Sequence, residues 1–258
     1  MSYGNIEIKE FKVDALTVKA MKNRTDMGKV AAADIRECML ALLSKKEEIN
    51  MIFAAAPSQN DVLASLIEYT DIPWERVNGF HMDEYIGLPK NAPQAFGNFL
   101  VERIFSKVPF KSVNLIDSSL TKEEAIASYT ELLKKYPTDI VVMGIGENGH
   151  IAFNDPPVAD FNDKMTVKAV ELDLICRNQQ VHDGCFEKLE DVPTHALTLT
   201  CPTLAGAPYQ FCVVPAPTKA DAVYHMLNDQ ISEKCPATVL RRCEAATLYL
   251  DGDSSAKI

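Results

Sequence analysis

Residues 139–156 read DIVVMGIGENGHIAFNDP, and this stretch gives the clearest indication of the fold. Its first five residues contain the apolar run IVVM, rich in β-branched side chains, which predicts a buried strand. Three glycines, Gly144, Gly146 and Gly149, follow, although the 258 residues include only 11 glycines in total. Glycine permits positive φ angles and close approach of the backbone to a ligand. We therefore expect a strand that ends in a ligand-binding loop.

Similar apolar runs alternate with amphipathic stretches along the chain. The expected strands are 49–54, 76–81, 113–116, 139–143, 165–170, 195–200, 210–214 and 246–250. The expected helices are 26–45, 58–69, 95–105, 121–135 and 218–227. This alternation is typical of a mostly parallel sheet that is covered on both faces. We predict a single α/β domain over residues 1–258, with three αβα layers around a mostly parallel, Rossmann-like central sheet.

Charge and cysteine usage restrict the possible partners and location. The chain carries 26 basic and 36 acidic residues, a net charge of −10, which argues against binding to nucleic acid or to an anionic membrane. No apolar run approaches the ~20 residues that span a bilayer. The seven cysteines are scattered, without a Cys-x-x-Cys pair, so neither a disulfide scaffold nor a zinc ribbon is indicated. These features favour a cytoplasmic protein.

Ligands of such sheets bind outside the carboxyl ends of the strands, so the residues that follow each strand are the candidates. The loop after 139–143 carries an imidazole, His150, with carboxylates at Glu147 and Asp155. The glycine spacing also fits a dinucleotide fingerprint, but that fingerprint requires a helix directly afterwards, and no helical pattern precedes Pro156. We therefore favour a catalytic histidine on this loop over a nucleotide site, with a structural histidine as the alternative.

Two adjacent acids, Asp83 and Glu84, follow the strand at 76–81. Side chains alternate along an extended chain, so one acid can face the site as a base while the other is structural. A solvated acidic turn is the simpler interpretation from composition alone.

Two further strand ends are candidate anion sites. The segment Ser58-Gln59-Asn60 precedes a helix, whose free N–H groups can hold phosphate. Capping of the helix by these side chains is the alternative. Lys219 lies in the first turn of another helix, where a cation is unfavourable with the helix dipole. An anionic ligand would explain that lysine, and a solvated side chain is the alternative.

Residues 81–89, HMDEYIGLP, and 144–156, GIGENGHIAFNDP, closely resemble the two signature loops of the glucosamine-6-phosphate deaminase (isomerase) family. The order and spacing of elements is similar over nearly the whole chain. The related 6-phosphogluconolactonases share the Gly-His element but lack the Tyr-x-Gly-Leu-Pro segment.

The resemblance implies a reaction and a set of partners. The family converts an amino-sugar phosphate to fructose 6-phosphate and ammonia, through ring opening, proton abstraction at C2, proton delivery to C1 and loss of the amine. It needs no metal or redox cofactor, and its members commonly form homo-oligomers. A small phosphorylated sugar is thus the expected partner.

The same resemblance implies roles for individual residues. Asp83 corresponds to the base that moves the C2 proton, and His150 to the group that opens the sugar ring. Asp155 corresponds to the acidic partner of that histidine, and Lys219 to a phosphate-binding lysine. Gly146 would let the backbone approach the substrate.

Four positions depart from the family pattern. Asn148 stands where Asp is usual, so Glu147 becomes a candidate source of negative charge for the histidine. Asp155 is one methylene shorter than the usual Glu. The segment 58–60 replaces a glycine-containing phosphate loop, and Gln180 lies near the position of a phosphate-binding arginine, which makes Arg177 a candidate substitute.

Three functions remain open from the sequence. A deaminase/isomerase accounts for both signature loops. A 6-phosphogluconolactonase would need a histidine base and a phosphate site but no C2 base. A non-catalytic sugar-phosphate-binding module would explain Asn148 and the altered phosphate loop.

Overall fold

The computed structural model describes Gly4 and residues 6–258. The strands are β1 (Ile8–Val13), β2 (Leu16–Met21), β3 (Ile49–Phe53), β4 (Val77–His81), β5 (Asp83–Tyr85), β6 (Ser112–Asn114), β7 (Ile140–Met143), β8 (Val167–Glu171), β9 (His195–Leu199), β10 (Tyr209–Val214) and β11 (Ala246–Leu250). The α-helices are α1 (Arg24–Leu43), α2 (Asn60–Ile67), α3 (Phe96–Leu100), α4 (Lys122–Lys135), α5 (Leu174–His182), α6 (Cys201–Ala205) and α7 (Ala220–Asn228). Among the described residues, no helix combines the length and apolar character needed to cross a membrane.

The central sheet has eight strands in the order β1-β2-β11-β10-β7-β3-β4-β6. Only the β1–β2 hairpin is antiparallel, and every other neighbouring pair is parallel. A second, antiparallel sheet has the order β5-β9-β8. The predicted α/β class with a mostly parallel central sheet is confirmed.

Alternate side chains of the central strands enter two separate cores. On β3, Met51 and Phe53 pack into the core that contains residues of α1 and α2, whereas Ile52 points into the core that contains residues of α4 and α7. Both cores are fully buried at these positions. Because successive strand residues face opposite sides of a sheet, the sheet needs a helical layer on each face, which gives the three predicted layers.

Several elements differ from the expectation. The β1–β2 hairpin and α5 are not among the expected elements. This helix begins at a local cap, because the Asp173 side chain accepts the N–H of Cys176. A capping box of Thr121 and Glu124 starts α4. Lys219, whose side chain makes no cap hydrogen bond, holds the N-cap position before α7.

Candidate active site

A cavity opens where the connections of the central sheet diverge. β3 leads outward to β4 and β6, whereas β7 leads to β10 and β11 on the other side, so β3 and β7 flank the switch point at which such sheets bind ligands. The cavity is lined mainly by loops that follow β3, β4 and β7, together with α3 and α5. Its lining residues are Ala54, Ala55, Ala56, Ser58, Met82, Asp83, Phe96, Gly144, Ile145, Gly146, His150, Ala152, Phe153, Gln179 and Gln180.

The His150 imidazole is held from one side by two oxygens. Its Nδ1 atom lies 2.8 Å from Oδ1 of Asn148 and 2.9 Å from Oδ1 of Asp155. The Nδ2 amide of Asn148 in turn donates to the same Asp155 oxygen at 2.9 Å. Asn148 is therefore a polar bridge within this group, and Asp155 is the carboxylate next to the ring.

This geometry corrects the expectation for Glu147. The Oε2 atom of Glu147 lies 3.4 Å from Nδ1 of His182, on a different histidine. Its backbone N–H donates to Oε1 of Gln179 at 2.8 Å. The negative charge beside His150 thus comes from Asp155 rather than from Glu147.

Asp155 is fully buried, yet its surroundings favour the ionised form. Burial works against ionisation of this carboxyl, but the attraction of His150 and the contacts with His150, Asn148 and the Cys176 thiol outweigh it and lower its pKa. Asp155 is consequently an anion over the neutral pH range.

Gly146 leaves the room that the imidazole occupies. A Cβ atom at this position would lie 2.1 Å from Cε1 of His150, far inside van der Waals contact. Gly146 also donates its N–H to the His150 carbonyl oxygen at 2.9 Å, which closes the loop. The glycine is therefore required by the ring of His150, independently of any role in substrate binding.

Asp83 and Glu84 occupy β5 and take different environments. Glu84 accepts the backbone N–H groups of Tyr85, Phe96 and Gly97 at 2.9, 3.0 and 2.9 Å, and so supports the start of α3. Asp83 instead lines the cavity. Of the two acids, Asp83 is the one placed to meet a substrate.

Burial and the neighbouring charge of Glu84 raise the pKa of Asp83 well above its usual range. The carboxylate of Asp83 is therefore a stronger base than an exposed aspartate once it loses its proton. A carboxyl with a raised pKa in a cavity is typical of general acid–base sites.

The 58–60 segment, a candidate anion site, forms a closed turn. Pro57–Gln59 form a single 3-10 turn, in which the N–H groups of Gln59 and Asn60 donate to the carbonyls of Ala56 and Pro57. The Gln59 side chain is buried, and its Nε2 donates to the Val213 carbonyl at 3.1 Å. Of the segment, only Ser58 lines the cavity.

The two predicted phosphate-binding cations, Arg177 and Lys219, are not among the residues that line the cavity. Nη2 of Arg177 donates to the carbonyls of Leu189 and Val192 at 2.8 and 2.9 Å, so this guanidinium holds the following loop instead of substituting for the family arginine. Lys219 is buried, with only 5% of its surface exposed. Burial lowers the pKa of Lys219, against the opposing effect of Asp183 and Glu147.

Two glutamines, rather than these two cations, complete the cavity lining. Gln179 and Gln180 from α5 both line it, and each is 6% exposed. Gln179 was not predicted, since α5 is not among the expected helices. Recognition of the α5 helix would have placed both amides on a buried face and indicated their position.

Comparisons with known proteins show which family the chain belongs to. A model of the family described as glucosamine-6-phosphate isomerases/6-phosphogluconolactonase matches residues 22–249. A glucosamine-6-phosphate deaminase of Exiguobacterium sp. is 36% identical over 182 residues, which cover 70% of each chain. One of Listeria monocytogenes is 32% identical over 210 residues, 81% of this chain and 88% of the relative. One of Bacillus cereus is 30% identical over 240 residues, 93% and 88% respectively.

Solved structures of a glucosamine-6-phosphate deaminase and of a 6-phosphogluconolactonase share the fold. A monomeric glucosamine-6-phosphate deaminase superposes with a TM-score of 0.83 at 22% identity, over 93% of this chain and 99% of that one. A 6-phosphogluconolactonase from Thermotoga maritima has a TM-score of 0.73 at 22% identity, over 92% and 99%. With the family model covering most of the chain, this protein belongs to the glucosamine-6-phosphate isomerase/6-phosphogluconolactonase family.

Proposed function

We propose that this protein is a glucosamine-6-phosphate deaminase-type enzyme, which converts glucosamine 6-phosphate or a closely related amino-sugar phosphate to fructose 6-phosphate and ammonia. The observation that carries the proposal is that the Asp83 carboxyl and the His150 imidazole line one cavity. The relatives at 30–36% identity are glucosamine-6-phosphate deaminases and support it.

His150 is the proposed ring-opening group. Its Nδ1 atom faces Asn148 and Asp155, which leaves Nε2 as the nitrogen that can exchange a proton with the sugar. The adjacent anion Asp155 stabilises positive charge on the ring while the proton is held there. The hydroxyl at C1 and the ring oxygen are the atoms between which this proton moves.

Asp83 is the proposed base at C2. Its carboxylate removes the C2 proton of the open-chain amino sugar and returns it to C1, which leaves an imine at C2. Water then adds to that carbon, and the amine leaves as ammonia while the C2 carbonyl forms. A base of raised pKa suits this step, because general-base efficiency grows as the pKa approaches the working pH. The same carboxyl can then act as the acid that delivers the proton.

The test is an assay of purified protein with glucosamine 6-phosphate that follows ammonia and fructose 6-phosphate together. We expect both products in equal amounts, and none above background for Asp83→Asn. Hydrolysis of 6-phosphogluconolactone that depends on His150 but not on Asp83 would instead assign a lactonase. Thermal stabilisation by amino-sugar phosphates without turnover of any of them would assign a binding module.

Two predictions from the sequence accompany this function. A homo-oligomer follows from the family resemblance, and sedimentation analysis of the purified chain measures it. A cytoplasmic location follows from the acidic composition and from cysteines that are scattered along the chain. Cell fractionation measures this location.

A further inference from the structure

Three potential metal ligands converge beside the cavity. One ligand atom each from His150, Asp155 and Cys176 lies within 4.8 Å of the other two, and all three residues are buried. His150 and Asp155 belong to the loop after β7, whereas Cys176 lies in the first turn of α5. The three donors therefore come from two separate segments that meet only in the folded chain.

One oxygen in this group has no hydrogen-bond partner. Oδ2 of Asp155 is buried and unpartnered, whereas Oδ1 serves both His150 and Asn148. An unpaired carboxylate oxygen in the protein interior is costly. The Cys176 thiol, a weak hydrogen-bond donor, is the other buried group of the cluster that interacts with this carboxylate.

We propose that His150, Asp155 and Cys176 form a binding site for a thiophilic divalent ion such as Zn²⁺, which blocks the enzyme by occupying its catalytic histidine. This inference rests on the proposed function only for its inhibitory consequence. Nitrogen, sulfur and oxygen donors are the set that Zn²⁺ prefers, at bond lengths of about 2.0–2.3 Å. Mg²⁺ and Ca²⁺ prefer oxygen donors alone and do not suit it.

Binding of the ion balances in protons and charge. The Cys176 thiol releases its proton to solvent and binds as a thiolate, Asp155 binds through the unpartnered oxygen, and the imidazole uses a ring-nitrogen lone pair. The ion enters through the cavity, which His150 lines. It links α5 to the loop after β7, so it also restrains Gln179 and Gln180, which follow Cys176 on the same helix.

Co²⁺ is the probe that reports this site without any substrate. Titration of the purified protein with Co²⁺ should produce a thiolate-to-cobalt absorption band in the near ultraviolet, which Zn²⁺ then removes by competition. Cys176→Ala should lose the band, while Cys201→Ala, which alters another fully buried thiol, should keep it. The Asp155→Asn variant should bind Co²⁺ about 100-fold more weakly or worse, since even outer partners of metal ligands contribute 10–100-fold.

Absence of the band in the unmodified protein, or its survival in Cys176→Ala, would overturn the proposal. Where Cys176→Ala does not fold, as judged by circular dichroism, Asp155→Asn and His150→Gln decide the question by the same titration. In the deaminase assay, Zn²⁺ should inhibit the unmodified protein and Cys201→Ala alike, and Mg²⁺ should not. If no deaminase activity exists, the Co²⁺ band alone decides the metal site, and only the proposed function fails.

Discussion

Oδ1 of Asp155 lies 2.9 Å from Nδ1 of His150, and Asp155 is fully buried. This contact supplies the charge that Asn148 lacks. We expect Asp155→Asn to lower kcat by about 10²–10⁴-fold, because an amide cannot stabilise the charged imidazole during ring opening. Steady-state kinetics with glucosamine 6-phosphate measures it. Asp163→Asn, which alters an ion pair to Lys168 outside the cavity, is the control and should retain activity.

Asp83 should reduce the stability of the folded chain at neutral pH. Its pKa is raised in the folded protein. The stability of the folded state is therefore unaffected below the unfolded-state pKa, where the carboxyl is protonated in both states. The free energy of unfolding then falls as the pH rises from the unfolded-state pKa to the folded-state pKa. We expect Asp83→Asn to melt at a higher temperature than the unmodified protein at pH 7. The difference should disappear near pH 3, where the carboxyl is protonated in both states. Equal melting temperatures at both pH values would contradict this expectation.

Gly146→Ala should inactivate the enzyme by displacing the ring of His150. The added Cβ would lie 2.1 Å from Cε1 of that ring, and the ring has no matching space on its other side, where Asn148 and Asp155 hold it. Overpacking of this kind costs about 1–3 kcal/mol of stability. Thermal melts and kinetics measure both effects. In a His150→Ala background the same change should cost little stability, since the clash is gone.

Gln180→Arg should improve binding of the phosphate group. The cavity lining contains no lysine or arginine among the described residues, and the family resemblance predicts a phosphate-binding arginine near Gln180. A charge-assisted hydrogen bond contributes about 1.5–3 kcal/mol, so KM for the phosphorylated substrate should fall by roughly tenfold or more. Gln180→Met, of similar length but uncharged, is the control and should raise KM.

Ala216→Gly should stabilise the loop before Lys219. Ala216 has φ 87° and ψ 150°, a conformation that is essentially confined to glycine, and its N–H donates to both carboxylate oxygens of Asp251 at 3.2 and 3.1 Å. Relief of this strain should raise the free energy of unfolding by about 1 kcal/mol. Ala220→Gly, at an ordinary helical φ of −59°, should lower it by a similar amount. Denaturant unfolding of the two variants should therefore show changes of opposite sign in the free energy of unfolding.

Strand periodicity was sufficient to predict most of the central sheet and the loops that follow it. The apolar run before Gly144 and the acids after β4 identified Asp83 and His150 as candidates, because the carboxyl ends of parallel strands share one edge of a sheet. The α5 helix was not predicted because its sequence, LICRNQQVH, is polar on most faces. Its start is fixed by a local cap at Asp173. Short elements of this kind are set by packing more than by propensity.

Sequence alone thus determined the layered fold, the candidate residues His150 and Asp83 and the family resemblance, since these depend on local pattern and strand order. Only the tertiary structure decided that Asp155, and not Glu147, contacts His150. It likewise decided that Arg177 is committed to backbone carbonyls, that Gln179 and Gln180 line the cavity, and that Cys176 approaches Asp155. These contacts join segments that are distant in the chain, and their distances depend on how α5 packs against the loop after β7, which no local periodicity encodes.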